Sequence, residues 1–525
     1  MEFSWFIIIV SISICFLLTA LINLFYHSPS KPKPNLPPGP SNIPFLTTIQ
    51  WMHKSFSDVE QTLHHLHSKY GPIISIRVGR RNSIIITSHE LAYKALITHG
   101  STFADRPPIT EVVTHGSTFT DRPTTKEVND YLTANQHNVV SAGYGTLWRL
   151  LRRNLSSTIH QSRQRSYEPA RKWVLDILIN QLKPYADMGR PVCVADHFQY
   201  AMFCLLVLMC FGDNIEEKVI RDIERVELDL LLVLMKLNVL NFSPILSKIL
   251  YRKRWNMFYE VRRNQEKVLF PLIQARREKK EQGTKVAEEV VCYVDTLLDL
   301  NLPEDDGGRK LNDQEILSLC TEFLNAGTDT TNTSLQWIMA NLVKHQDIQG
   351  KLFDEIKGIG KSKGEVIKEE DLVKLPYLKA VVLEGLRRHP PGHFVLPHAV
   401  TQDIQLDEYV IPKDATINFN VAQMGLDPKV WDDPMAFKPE RFLSDGSGDV
   451  FDITGSREIK MMPFGAGRRI CPAVAFAMLH LEYFVANLVR QFEWLADGGE
   501  VDLSEKQEFT TAMKNPLRAR IISRN

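Results

Sequence analysis

The chain has no net charge and no paired cysteine motif. Over its 525 residues, 62 Lys and Arg balance 62 Asp and Glu. Since nucleic-acid binding depends on clustered positive charge, this balance gives no indication of a nucleic-acid partner. The seven cysteines are scattered, odd in number and never spaced as CxxC. They therefore argue against a zinc site and a disulfide framework, and they are typical of a reducing compartment.

Charge is also missing from residues 3–26, which are almost wholly apolar. A helix of this length rises ~1.5 Å per residue and can span ~30 Å of hydrocarbon. A cleaved signal peptide is the alternative, but Glu2 and no Lys or Arg precede this long run. Lys31 and Lys33 follow it, so the positive-inside rule places the rest of the chain in the cytosol. We predict one transmembrane anchor over residues 3–26.

Residues 27–40 are rich in proline and cannot be helical throughout. They predict a stiff, extended spacer, and a disordered linker is the alternative. Residues 228–239 are apolar too, but two charges interrupt them, so they are too short for a second span. They fit a core helix or a surface that touches the membrane. The predicted domains are the anchor, the hinge over 27–40 and a globular domain over 41–525.

Beyond residue 40 the sequence favours a mainly α fold with small β-sheets. Residues 72–78 and 83–87 are β-branched runs around a Gly-containing segment, which is typical of a β-hairpin. Residues 88–98 and most of 161–300 have helical periodicity. Strand-like alternation returns in residues 399–409, in residues 415–420 and after Phe492.

One segment occurs twice. Residues 98–107 recur as residues 114–123, with Ala104 replaced by Thr120 as the one difference. Two copies are too few for a solenoid. We interpret them as a short tandem duplication.

The most informative stretch is a loop at residues 463–472, which we call the thiolate loop. Its two glycines let the backbone pass close to a flat ligand, and Pro472 suits the first turn of a predicted helix over 473–489. N–H groups at a helix N-terminus would favour the thiolate form of Cys471. A thiolate is a good axial ligand for haem iron and favours O–O bond cleavage. A buried cysteine acting as a small hydrophobe is the alternative.

The thiolate loop resembles the haem-binding loop of the cytochrome P-450 family. The matching residues are Phe464, Gly465, Gly467, Arg469 and Cys471. The anchor, the hinge and the later motifs follow in the family's order. The sequence of these motifs is most similar to that of microsomal plant members, in family eighty-nine, subfamily A. The resemblance implies the cytochrome P-450 fold and a bound haem b. Cys471 would be the metal ligand, and Phe464 and Arg469 would contact the cofactor.

A second motif lies in a predicted helix at residues 146–154. Trp148 and Arg152 are four apart and share a face. An indole N–H and a guanidinium fork suit a carboxylate; a solvated basic face with a core tryptophan is the alternative. The resemblance implies that this pair binds haem propionates, and it places His398 as a further basic partner of a propionate.

A third motif interrupts the predicted helix 311–344 with Gly, Asn and several Thr, which are poor helix formers. Such a local conflict often marks a functional site. A helix kinked by Thr back-bonding is the alternative. The resemblance implies that Ala326 and Gly327 lie against the cofactor. It also implies that Asp329 and Thr330 are the acid–alcohol pair that delivers protons during oxygen activation.

A fourth motif is structural. Glu384 and Arg387 are three apart in a predicted helix over 377–389, where an exposed pair would be worth little. The resemblance implies that the pair is buried and joined by Arg441. Loss of one partner of a buried pair should cost ~3–5 kcal/mol.

Candidates for the substrate wall follow from the same resemblance. They are Phe394, Val395, Leu396 and residues 509–513, and plain core packing is their alternative. The chain departs from the family at Ala473, where most members have Gly, and in the duplication. The family has one copy of the repeated segment, near a loop over the substrate pocket.

The resemblance implies a haem-thiolate monooxygenase anchored in the endoplasmic reticulum membrane, with the catalytic domain 41–525 on the cytosolic face. It would insert one oxygen atom of O2 into a small, largely apolar organic substrate. Electrons would come from NADPH through a flavoprotein reductase. Arg149, Arg153 and Arg468 would form part of a docking face for the reductase, or else they are ordinary solvated charges.

Two other functions stay open. One is a haem-thiolate isomerase or dehydratase that needs no reductase, against which the intact Asp329–Thr330 pair argues. The other is an inactive haem-binding duplicate, which the repeated segment suggests.

Overall fold

The structure is a computed structural model. It describes residues 10–14, 16–17, 35–40, 56–78, 81–107, 126–212, 215–236, 248–282, 291–359, 365–413, 415–443 and 451–524. Most of the predicted anchor, much of the hinge and the second copy of the repeat lie outside these ranges. Residues 10–14 and 16–17 are helical. Within the described ranges, no helix has both the length and the apolar character needed to cross a membrane.

Helices form most of the described chain. In the first half they are α1 Phe56–Tyr70, α2 His89–Tyr93, α3 Lys126–Leu132, α4 Thr146–Thr158, α5 Gln161–Gln164, α6 Glu168–Met188, α7 Ala195–Phe211 and α8 Glu217–Lys236. In the second half they are α9 Arg252–Glu281, α10 Tyr293–Leu298, α11 Asp313–Lys344, α12 Gln346–Lys357, α13 Pro376–Arg388, α14 Val421–Gly425 and α15 Val474–Gln491. A π-helical turn, Lys94–Thr98, extends α2.

The strands are short. They are β1 Ile73–Val78, β2 Arg81–Ile86, β3 Val192–Cys193, β4 His398–Ala399, β5 Ile404–Leu406, β6 Tyr409–Ile411, β7 Thr416–Phe419, β8 Phe492–Ala496, β9 Glu505–Gln507, β10 Thr511–Met513 and β11 Arg518–Ser523. One sheet has the order β1-β2-β7-β4 and another has the order β3-β11-β8. The pairs β5–β6 and β9–β10 form separate hairpins. The predicted mainly α fold with small sheets is confirmed.

The first hairpin is also confirmed. β1 and β2 are antiparallel, with Ile73 opposite Ile86, and β2 runs parallel to β7. The predicted strand over 399–409 is wrong in one respect, because β4, β5 and the start of β6 share that range. Asp407 has a φ of +52° at the turn between β5 and β6. Hydropathy alternation cannot detect such a turn, since side chains still alternate across it.

The helix α11 is the axis of the core. Asn312 caps it: its side chain accepts the Glu315 N–H at 3.0 Å, and the Glu315 carboxylate accepts the Asn312 N–H at 2.7 Å. From residue 331 to residue 343 every residue is buried. α11 packs against α7, α13 and α15. The third motif therefore lies within α11, at the centre of the molecule.

Candidate active site

The thiolate loop ends at Cys471, just before α15. Gly465 and Gly467 have φ angles of +68° and +71°, which glycine adopts readily and other residues do not. At Gly467 a Cβ atom would also lie 2.1 Å from the carbonyl oxygen of Leu96. Glycine is thus required here for the loop to lie against the π-helical turn that follows α2.

The sulfur of Cys471 lies at the entry to α15. The Cys471 N–H donates to Phe464 O at 2.9 Å, and Cys471 Sγ accepts the Ala473 N–H at 3.4 Å. Burial raises the pKa of the Cys471 thiol, while the Ala473 N–H and the Arg152 charge lower it by less. The helix terminus thus favours the thiolate, as predicted, but burial outweighs it in the protein alone. A bound metal cation would keep this sulfur deprotonated.

Helix α4 supplies the predicted tryptophan and arginine. Arg152 Nη2 donates to Ile470 O, in the thiolate loop, at 2.5 Å. Trp148 is 5% exposed, and its Nε1 donates to Val139 O at 3.2 Å. The Arg469 guanidinium lies 4.5 Å from the centre of the Trp148 ring. Trp148, Arg152 and Arg469 thus meet next to the thiolate loop, and their predicted role in binding haem propionates stays a prediction.

Arg469 reaches away from its own loop. Its Nε donates to Ala104 O at 2.7 Å, its Nη2 to Ala142 O at 2.6 Å and its Nη1 to Val139 O at 3.2 Å. Burial, and next the neighbouring Arg106, lower the pKa of Arg469 to about 9. Arg469 therefore joins three chain segments and lies in a region of excess positive charge.

Sequence reasoning missed Arg106. Its Nη1 donates to Leu396 O at 2.9 Å and to Pro397 O at 2.6 Å, and its Nε donates to Val140 O at 2.9 Å. Arg106 belongs to the first copy of the repeated segment, residues 98–107, which is built into the site. The recurrence of this arginine in both copies was the one available signal.

His398 lies in β4 and is 4% exposed. Its Nδ1 lies 2.5 Å from Phe103 O. Burial, and next Arg106, lower the pKa of His398 to about 3, so the ring is neutral. If Nδ1 donates to the carbonyl, Nε2 of a neutral ring carries no proton. An anion that binds at Nε2 must therefore bring a proton with it.

Glu322 was also missed, although it precedes Ala326 by one helical turn. Its carboxylate accepts the N–H groups of Val139 and Val140 at 3.0 and 2.6 Å. Burial raises its pKa to about 7. Two backbone N–H groups already bind this carboxylate, so it ties α11 to the loop before α4. The positive charge of the nearby arginines therefore stays in excess.

The small residues of α11 lie on two sides of the helix. Ala326 is exposed, although it lies in the middle of a core helix. A Cβ atom on Gly327 would lie 2.6 Å from Leu206 Cδ1, so glycine lets α11 approach α7 closely. Thr330 Oγ1 donates to Ala326 O at 2.7 Å. This is the back-bonding of the alternative interpretation, but α11 continues through it as an unbroken α-helix.

Asp329 and Thr330 are both half-buried, whereas Thr328 is 3% exposed. Thr328 Oγ1 donates to Leu324 O at 2.8 Å, on the buried side of the helix. The predicted acid–alcohol pair thus lies on the accessible part of α11. It is linked to the thiolate loop through the packing of α11 on α15.

The substrate-wall candidates separate into two kinds. Phe394 is 4% exposed and packs in a core cluster with α1 and β1, so its plain-core alternative holds. Val395 borders the thiolate loop, because its Cγ1 lies 3.6 Å from the position of a Gly465 Cβ atom. Thr510 contacts α11 through Thr333, with 2.7 Å between the hydroxyl oxygens.

The predicted burial of the fourth motif and its contact with Arg441 are confirmed. The Glu384 and Arg387 side chains are both fully buried. Arg387 Nε and Nη2 donate to the two carboxylate oxygens at 2.6 and 2.8 Å. Arg441 Nε donates to Glu384 Oε1 at 3.2 Å. Arg387 Nη1 also donates to Gly425 O at 2.6 Å, so the pair fixes α13 to two later segments.

These residues fit a haem. Cys471 offers one sulfur donor at a helix N-terminus. Beside it, the basic cluster of Arg106, Arg152 and Arg469 has more positive charge than Asp105 and Glu322 offset, which suits a cofactor with two carboxylates. The exposed Ala326 places a small side chain on the accessible part of α11.

Comparison with known proteins identifies the family of this chain. Residues 37–522 match the family model described as Cytochrome P450. The chain is 48% identical over 516 residues to cytochrome P450 89A9 of Arabidopsis thaliana, with 95% of each chain covered. It is 28% identical over 528 residues to flavonoid 3'-monooxygenase CYP75B137 of Crocosmia x crocosmiiflora, which covers 98% of this chain and 97% of that one.

Solved structures show the same fold. A zebra fish cytochrome P450 determined with progesterone aligns with a TM-score of 0.71 at 21% identity, over 88% of this chain and 99% of that chain. The family match and the plant relatives together identify the family and the class of enzyme. The chain belongs to the cytochrome P450 family and is a cytochrome P450 monooxygenase.

Proposed function

We propose that this monooxygenase inserts one oxygen atom of O2 into a small, largely apolar organic substrate, with electrons that NADPH supplies through a flavoprotein reductase. The observation that carries the proposal is the arrangement around Cys471. One sulfur donor lies beside an excess of half-buried arginine charge, and a central helix with an accessible alcohol and acid packs on the same core. The thiolate-bound haem would supply oxygen activation, because an electron-rich axial ligand favours O–O cleavage.

The chain's own residues hold this cofactor. Cys471 would bind the iron, and Phe464, whose backbone carbonyl accepts the Cys471 N–H, would contact the cofactor. Trp148, Arg152 and Arg469 would donate to the propionates in place of the carbonyl oxygens they now bind. Bidentate guanidinium donors suit this task. His398 donates to a propionate once Nε2 is protonated.

Proton transfer is assigned to α11. The Thr330 hydroxyl, now bonded to Ala326 O, can donate into the space beside Ala326 by rotation about χ1. Asp329 is half-buried, so it can exchange protons with solvent. Acid and alcohol are adjacent in sequence, so together they would supply protons to the space beside Ala326.

The relatives' names support an apolar substrate. They include a flavonoid 3'-monooxygenase, a geraniol 8-hydroxylase and a geranylhydroquinone 3''-hydroxylase, each 28 or 29% identical to this chain. We infer a substrate of similar chemistry, with apolar carbon as the site of attack. Val395 and the β9–β10 turn form part of its wall.

A reductase docking face is supported by three exposed arginines. Arg149 and Arg153 lie on the outer side of α4, and Arg468 lies in the thiolate loop. The guanidinium groups of Arg149 and Arg468 both lie 5.5 Å from the centre of the Tyr144 ring. This cationic surface includes part of the thiolate loop, because Arg468 lies three residues before Cys471. It suits an acidic flavoprotein, for which charge complementarity speeds association.

The function can be tested by reconstitution with NADPH, reductase and a substrate found from its binding spectrum. Thr330→Val should lower product per NADPH by roughly 10²-fold, the low end of what proton transfer contributes, and should release peroxide. Thr328→Val is the matched control, since that hydroxyl is buried and bonds Leu324 O. It should leave coupling unchanged.

Two results would reject these assignments. Equal coupling in both threonine variants would remove Thr330 from proton delivery. Turnover of an organic peroxide without NADPH or reductase, together with no NADPH-dependent substrate oxidation when reductase is present, would favour the isomerase or dehydratase.

We also propose that residues 3–26 anchor the protein in the endoplasmic reticulum membrane, with the catalytic domain in the cytosol. The uncharged apolar run and the two lysines after it support this. In alkaline-washed microsomes the full chain should stay in the pellet, and a chain that lacks residues 1–40 should be soluble. Retention of the shortened chain in the pellet would contradict the anchor.

A further inference from the structure

Four titratable side chains meet outside the haem site. We call Glu60, His389, His393 and Glu505 the histidine cluster. His393 Nδ1 forms a short contact with Glu60 of α1, and His393 Nε2 lies 3.2 Å from Glu505 Oε2 of β9. His389 Nδ1 lies 3.1 Å from Glu505 Oε1. The His393 side chain is 6% exposed, so the cluster is a built feature of the interior.

Charge in the histidine cluster balances only when His393 is protonated. Burial lowers the pKa of His393, but hydrogen bonds to Glu505 and Glu60 outweigh it and raise the pKa to about 9. The two histidines keep the pKa of Glu505 well below its ordinary value against the effect of burial. Arg388 is a further positive charge facing Glu505. Two carboxylates thus face two cations.

His389 takes the opposite protonation state. Burial lowers its pKa to about 4, so it is neutral near pH 7. Its ring stacks on Trp337 of α11 at 4.0 Å between ring centres. The two histidines therefore have different roles: His389 packs against α11, and His393 carries the positive charge.

The cluster holds two segments that border the proposed haem and substrate space. His393 lies in residues 390–397, which we call the wall loop. Arg106 binds the end of the wall loop through Leu396 O and Pro397 O. Val395, two residues after His393, borders the thiolate loop.

The second segment is the β9–β10 hairpin, which begins at Glu505. Its Thr511 N–H donates to Pro391 O at 2.7 Å, and Thr511 O accepts the Trp337 Nε1–H at 2.9 Å. Thr510 meets Thr333, three residues beyond the proton-delivery residue Thr330. The hairpin is thus tied to both the wall loop and α11.

We propose that His393 is a positioning residue for the substrate space, whose imidazolium joins Glu60 and Glu505 and so holds the wall loop and the β9–β10 hairpin against α11. A neutral imidazole has one N–H, so it can donate to only one of the two carboxylates. The other carboxylate would then be half-buried without that donor, which is costly. Loss of the proton therefore breaks one of the two links that His393 makes and loosens the wall loop and the hairpin, although His389 still bonds Glu505.

The pH range follows from the sign of the shift. The folded pKa of His393 is above the ordinary histidine value, so its contribution is complete below about pH 6.5 and is lost as pH rises through about 9. Glu505 has the reverse shift, so its contribution is lost only in acid. Near pH 7 His393 is therefore protonated and joins both carboxylates.

The first test uses the full chain and hydrogen exchange, corrected for the intrinsic pH dependence. In the wild type, exchange of residues 390–397 and 505–513 should rise ~10-fold between pH 7 and pH 10, which corresponds to loss of one charged hydrogen bond. His393→Gln should show the raised rate already at pH 7 and no further step. His345→Gln, whose ring stacks on Phe437, is the control and should keep the wild-type profile.

The second test measures ligand affinity by the absorbance change when 4-phenylimidazole binds the holoprotein. Its Kd should rise ~10-fold from pH 7.5 to pH 9.5 in the wild type, and should already be high and flat with pH in His393→Gln. If His393→Gln does not fold, Glu60→Gln takes its place, because Glu60 is partly exposed and its replacement should be tolerated. It should shift the transition to lower pH.

The proposal rests on the proposed function only in that these segments border a haem and a substrate. The exchange test needs neither haem nor substrate. A protein that binds no haem would therefore contradict the proposed function, but its exchange rates would still test the role of His393. Wild-type exchange and affinity profiles in both His393→Gln and Glu60→Gln would overturn the proposal. A lowered melting temperature with unchanged affinity and pH profile would also overturn it, since a merely structural histidine would behave that way.

Discussion

Replacing Cys471 with serine is expected to abolish monooxygenase turnover and the long-wavelength carbon monoxide difference band that marks thiolate ligation. A serine hydroxyl is not ionised near pH 7, so the electron-rich axial donor is lost. Serine is smaller than cysteine by little and still accepts the Ala473 N–H, so the loop should keep its shape. The measurement is the difference spectrum of the reduced protein together with its haem content.

The control is Cys193→Ser. Cys193 is exposed in β3, away from the thiolate loop, so its replacement should leave the spectrum and the turnover unchanged. A wild-type band in Cys471→Ser would remove Cys471 from the site. Loss of the band in both variants would point to general damage instead.

Replacing Arg387 with methionine is expected to lower the free energy of unfolding by ~3–5 kcal/mol, because a buried charge loses its partner. Glu384 would keep Arg441 at 3.2 Å but lose both arginine bonds of its fork. The carbonyl oxygens of Gly425 and Pro434 would lose their donors as well. Denaturant unfolding followed by circular dichroism measures the change.

Arg388→Met is the matched control on the same helix. Arg388 is half-buried, makes a long bond to Met435 O, 3.3 Å, and has its charge toward the partly exposed Glu505, so its loss should cost ~1 kcal/mol. Arg387→Lys keeps the charge and loses the planar fork, so it should fall between the two. Equal losses for Arg387→Met and Arg388→Met would contradict the structural role of the buried pair.

The motifs that could be predicted from the sequence share one property: their partners are close along the chain. Glu384 and Arg387 are three residues apart on α13, and Trp148 and Arg152 are four apart on α4. Helix geometry alone places such pairs on one face. The thiolate loop is equally local, since its glycines and its cysteine lie within seven residues.

What could not be predicted depends on tertiary contacts. Arg106 binds Leu396 O, 290 residues away, and His393 meets Glu60, 333 residues away. No local pattern distinguishes such residues from solvated charges. Glu322 shows the intermediate case, because its spacing from Ala326 placed it on the right face while its partners came from another segment.

The state of the sulfur shows a limit of another kind. The sequence correctly indicated a helix N-terminus at Cys471, which favours a thiolate. Burial, which depends on the whole fold, has the larger effect and raises the thiol pKa. The same fold makes His398 neutral, although its position resembles that of a basic residue.

The central claim is a bond between the Cys471 sulfur and the haem iron. X-ray absorption at the iron edge of the purified holoprotein tests it most directly, because it identifies the atoms bound to the metal. The account predicts one sulfur neighbour in the wild type and none in Cys471→Ser. An iron with only nitrogen and oxygen neighbours in the wild type would contradict it.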